Sequence, residues 1–151
     1  MRDIRNYTST VPAARSIAAI EEQLAASGVL EVNKRYTDGR VSALVFRAPV
    51  PGGEPMVVRL PAKVAEVERV LASAVKRGRS GTRQRIADQA ERTAWKILAE
   101  WVDMQLTLVR LGQATAVEVF LPYILCGEPG RERTVYDALA ESKFKQLKGG
   151  S

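Results

Sequence analysis

Ile17, Ile20 and Leu24 recur at spacings of three and four within residues 11–26, with Thr10 as N-cap and Gly28 as stop, and predict an amphipathic helix. The period then changes to two. Runs at residues 30–37 and 40–48 flank Asp38-Gly39, the signal for a type I′ hairpin, because both turn positions need positive φ. With those two residues as the loop, Tyr36 faces Val41, Lys34 faces Ala43 and Val32 faces Val45 on the side expected to be core. Arg35 faces Ser42, Asn33 faces Leu44 and Glu31 faces Phe46 on the other. A Pro/Gly-rich turn at 49–55 leads to a third strand, where Met56, Val58 and Leu60 alternate with Val57 and Arg59.

A second helix is expected after Pro61, running to about Lys76, with Val64, Val67, Val70, Leu71 and Ala74 as its apolar stripe. Two glycines in a basic run then mark a junction. It divides an αβββα module, residues 1–78, from a helical part, residues 79–148, packed on the module or forming a dimer seam; residues 149–151 read as a linker or cloning remnant. The longest helical pattern, residues 83–111, carries Ala87, Ala90, Ala94, Leu98, Trp101, Val102 and Val109 in one stripe, with Trp95, Ile97, Met104 and Leu111 beside it. So broad an apolar arc must be covered from two sides, by this chain or by another. Residues 117–125 lean to helix, and Thr134 with Asp137 is a capping pair for a last short helix ahead of a tail with Lys143, Lys145 and Lys148. The expected fold is α+β: the αβββα module with a three-stranded antiparallel sheet, then a long helix and short C-terminal helices.

Composition narrows the function classes. The 151 residues contain no histidine, which removes His-based acid–base catalysis, Ser-His-Asp and Cys-His nucleophiles and His-containing metal sites. The single Cys126 can form neither an intrachain disulfide nor a cysteine cluster, and fits a reducing cytoplasm. No apolar run approaches the ~20 residues of a membrane span, and the first ten residues lack the apolar stretch of a secretion signal, so the expectation is a cytoplasmic chain with no membrane partner. Lys plus Arg number 23 against 17 Asp plus Glu, a net charge of +6, which favours anionic partners, nucleic acid first.

The cations are concentrated. Arg69, Lys76, Arg77, Arg79, Arg83 and Arg85 lie between Glu68 and Asp88 with no acidic residue among them, and the glycines there admit close backbone approach. Phosphate contact is the natural use of such a run, with salt-sensitive, largely sequence-independent binding, to DNA ahead of RNA. The sheet side expected to face outward adds Arg35, Arg40, Arg59, Leu44 and Phe46, a mixture of guanidinium and ring suited to single strands. The order αβββα is also that of the double-stranded-RNA-binding domain, but only Lys63 stands where that domain carries a lysine cluster.

The competing expectation is a protein-binding effector, or a homo-oligomer, with Leu98, Trp101, Val102 and Val109 at the interface. Catalysis finds little support, and a metal-dependent nuclease is the weakest of the three readings. Glu31, Asp38, Asp103 and the Glu141-Ser142-Lys143 triplet form no recognisable magnesium-binding set, and no Walker or Gly-x-Gly-x-x-Gly sequence occurs, so no catalytic residue, metal or cofactor is expected.

Asn6-Tyr7-Thr8, Ser16-Ile17, Ile20-Glu21, Tyr36-x-Asp38-Gly39, Arg59-Leu60-Pro61, the run Gln89 to Trp95 and Phe120-Leu121-Pro122-Tyr123 together resemble small phage- and prophage-encoded proteins of unknown function. The resemblance spans nearly the whole chain. It implies a cytoplasmic accessory protein, for DNA replication, recombination or takeover of a host system, and transfers no catalytic residue.

Overall fold

A computed structural model describes residues 4–75 and 81–149. The elements are α1 (Ala13–Ala26), β1 (Glu31–Thr37), β2 (Arg40–Ala48), β3 (Met56–Pro61), α2 (Val64–Ser73), α3 (Thr82–Arg110), α4 (Ala116–Phe120), a 3-10 turn (Leu121–Tyr123), β4 (Leu125–Cys126), β5 (Arg133–Thr134) and α5 (Val135–Glu141). The fold is α+β, with an antiparallel sheet in the order β1-β2-β3 and a separate β4-β5 pair. None of the described helices is long and apolar enough to cross a membrane.

Helix α1 starts at Ala13, later than Thr10 would start it, because Val11 precedes Pro12 and is held out of the helical region; Pro12 is itself extended at ψ 143° and serves as N-cap. The hairpin turn forms as its dipeptide requires, with φ of 52° at Asp38 and 78° at Gly39. Beyond the turn the register departs from the simple two-residue-loop pairing. Thr37 opposes Arg40 and Tyr36 opposes Val41, but Arg35 opposes Ala43, so Ser42 is an extra residue in β2.

This bulge moves every later pair by one residue and exchanges the faces of β2. Leu44, Phe46 and Ala48, and not Ala43 and Val45, point into the main core, in line with Leu60, Val58 and Met56 of β3. The expected core side was therefore wrong for β2 and right for β3. The core face meets Ile17, Ile20 and Leu24 of α1 and Ala94, Trp95, Ala99, Val102 and Leu106 of α3, closed at one end by Phe120. One core thus unites residues from both sides of the junction at 78/79.

Coverage of α3 comes from its own chain: α1 and α2 both pack along it, with the sheet beneath and α4 at its C-terminal half. Phe120 holds rings on two sides, edge-to-face with Phe46 at 5.2 Å and with Trp101 at 5.9 Å. The apolar stretch after residue 116 begins as helix, fixed by a capping box between Thr115 and Glu118, and then turns into β4. The last helix is capped as its sequence predicts, Thr134 Oγ1 accepting from the Asp137 N–H at 3.1 Å.

The N-terminal segment is strapped to α3. Thr93 Oγ1, fully buried, donates to the Asn6 carbonyl at 2.9 Å, while Gln89 Nε2 and Arg92 Nε both donate to the Ser9 carbonyl at 3.1 and 3.2 Å. Arg5 and Asn6 bind the Glu100 carboxylate beyond it. The Arg5 hydrogen bond, aided by Asn6, holds the Glu100 carboxyl below its ordinary range despite partial burial.

Candidate nucleic-acid interface

The junction is where α2 ends and α3 begins. Lys76, Arg77 and Arg79 lie outside the described residues. Arg69 is exposed on α2, and Arg83 and Arg85 are exposed at the start of α3. None of these three forms an ion pair with a described residue. The first turn of α3 contains no acidic residue, and its N-cap, Gly81, offers no side chain to the free N–H groups. Two guanidinium groups therefore stand at the positive end of a 29-residue helix dipole, an unfavourable arrangement that a bound anion relieves. Arg85 also borders a depression of about 750 Å³ with Leu71, Val75 and Arg92.

The sheet contributes a second group of cations. The register places Arg35, Arg47 and Arg59 on the face away from the main core, around Ala43 and Val45. Both are only 7% exposed. Arg35 is exposed and forms no ion pair with a described residue. Arg47 lies 3.5 Å from Glu31, and Arg59 lies 4.0 Å from Asp137 at the edge of α5.

Three residues expected on this interface are elsewhere, Leu44 among them, fully buried in the core. Phe46 is 1% exposed in the core, because the Ser42 bulge turns it inward, and is no stacking platform. Arg40 is bound to Glu91 and lies 3.8 Å from Asp88, so its charge fastens the hairpin tip to α3. Arg47 takes its place on the outer face. The signal for it in the sequence is the composition of β2 itself: Leu44, Phe46 and Ala48 form an apolar row that leaves Arg47 with Val45 on the other side.

The expected protein-interface residues are largely internal. Val102 is fully buried; Trp101 packs edge-to-face on Phe120 and, at 5.6 Å, on Tyr123. Leu98 lines an apolar crevice of about 370 Å³ with Trp101, Val67 and Leu60, while Val109 is half-buried. The exposed apolar side chains of this region are instead Met104 and Leu111. Among the described residues no cluster of acidic or sulfur ligands could hold a metal ion. Asp38 serves the hairpin turn and Asp103 is exposed on α3.

The chain matches no protein family, no curated protein and no solved structure.

Proposed function

We propose that this protein binds nucleic acid, DNA ahead of RNA, through backbone phosphates, and acts by occupancy in the manner of a phage accessory protein. The observation that carries the reading is the corner formed by α2 and α3, where Arg69, Arg83 and Arg85 are exposed without acidic partners and α3 opens with no acid in its first turn. Lys76, Arg77 and Arg79 lie between these helices in sequence, outside the described residues. Arg35 and Arg59 extend the contact surface onto the sheet, and Arg47 joins them. Phe46 is core and supplies no stacking platform, so the reading rests on charge.

The test is a fluorescence-polarisation titration against labelled single-stranded and duplex DNA and RNA over a range of salt. Changing Arg69, Arg83 and Arg85 together to Ala is expected to weaken binding and to reduce the slope of log K against log salt by about 2–3. An unchanged slope refutes the corner as the phosphate site.

A further inference from the structure

The three-stranded sheet has one closed edge and one open edge. Beside β3 the chain returns, and Ile124 forms an antiparallel bridge with Val58. Among the described residues no strand pairs with the outer side of β1. All of β1 except Val32 is exposed, and Leu30 and Tyr36, on either side of its centre, are 50% and 64% exposed. Long open edges with apolar side chains are templates for further strand pairing.

We propose that β1 is a self-complementary edge that pairs antiparallel with β1 of a second copy, centred on Asn33, to make a six-stranded sheet. In this register Leu30 lies opposite Tyr36 of the second copy, and Glu31 opposite its Arg35, each pairing occurring twice by symmetry. Apolar meets apolar and anion meets cation. Val32 then opposes Lys34, and the two Asn33 amides meet at the dyad.

Backbone alternation fits the same register. The Arg35 carbonyl is turned toward β2, where it accepts from Ser42 Oγ at 3.3 Å. Alternation along the strand then directs the backbone groups of Val32, Lys34 and Tyr36 to the open edge. Centring on Asn33 matches the outward groups of Val32 with those of Lys34, whereas the Leu30 N–H is turned inward to the Arg47 carbonyl at 2.8 Å, so Leu30 and Tyr36 meet through their side chains. This register leaves Glu31–Arg35 and Asn33–Asn33 as the pairs whose side chains approach most closely. The bulge residue lies in β2, so β1 itself is regular over its length.

Neighbouring registers are worse. Centring on Lys34 places two ammonium groups opposite each other. Centring on Val32 sets Arg35 against Val29 and Tyr36 against Gly28, and both complementary pairs are lost. Lys34, the residue that would discourage edge pairing, is drawn aside toward Glu21 of α1 at 3.5 Å. The dimer would also place Arg35, Arg47 and Arg59 of both copies on one continuous face.

The experiment is sedimentation velocity on the full chain in nucleic-acid-free buffer, so that its outcome is independent of the proposed DNA binding. The wild type is expected to dimerise at tens of micromolar, a modest affinity for a single strand pairing. Arg35→Glu, which sets two carboxylates against each other at both ends, is expected to raise the dimer Kd about tenfold or more. Glu31→Arg combined with Arg35→Glu restores the opposite charges and is expected to recover the dimer, which also verifies that the strand still folds. With Cys126→Ser as background, Asn33→Cys is expected to form a disulfide-linked dimer under mild oxidation. A monomeric wild type, a dimer indifferent to Arg35→Glu, or a double variant that fails to recover would each overturn the pairing.

Discussion

Ser42 is a small residue with a large effect on β2. Its insertion opposite Arg35 and Tyr36 turns Phe46 from solvent to core, where it contacts Phe120 and becomes one of the largest fully buried side chains. Phe46→Ala should therefore cost about 3–5 kcal/mol of stability by urea denaturation, through lost burial and the cavity left behind. Nucleic-acid affinity of the folded fraction should be unchanged. Loss of affinity without loss of stability would return Phe46 to the binding surface.

At the level of elements, the start of α3 sets stability against binding. Arg83 lies one residue beyond the first helical residue, Thr82, where a positive charge opposes the helix dipole. Arg83→Glu should raise stability by about 0.3–1 kcal/mol while weakening phosphate binding, a combination that thermal melts and polarisation titrations would read together. A variant that binds as tightly as the wild type would remove Arg83 from the interface.

The N-terminal strap has a pH dependence of definite sign. Glu100 titrates lower in the folded chain than in the unfolded chain, chiefly through its Arg5 hydrogen bond, so the part of the strap's stability that Glu100 supplies is complete above pH ~4.3. It is lost as pH falls through the lowered value. Amide exchange around Asn6 to Ser9 should accelerate on acidification in the wild type. In Glu100→Gln it should be faster already at neutral pH and less responsive to acid. Equal acid sensitivity of the two proteins would show that another group secures the strap.

For the whole molecule, the distribution of apolar surface favours a charge-based contact over a docking helix. The broad stripe of α3, taken alone, invites a partner; in the folded chain α1, α2, α4 and the sheet occupy much of it, with Trp95 fully buried and Trp101 partly buried. The open surface includes the basic corner of α2 and α3, the outer sheet face and the β1 edge, together with separate exposed apolar side chains such as Met104 and Leu111. A nucleic-acid protein and a strand-paired dimer use different parts of this surface, and Arg35 is the residue common to both.

Short-range chemistry, legible in a few adjacent residues, accounts for part of the fold. Asp38-Gly39 made the turn, Ile17, Ile20 and Leu24 made an amphipathic α1, the alternation in β3 chose its buried side, and Thr134 capped α5. Each follows from the conformational preference or hydrogen bonding of a few adjacent residues. The tertiary structure decided the rest: the bulge at Ser42, the inward turn of Phe46, the pairing of Arg40 with Glu91, the strap on Thr93 and the closing bridge at Ile124. These depend on groups distant along the chain. A strand that is apolar on both sides has no local preference for either face, and its choice is made by the helices that cover it.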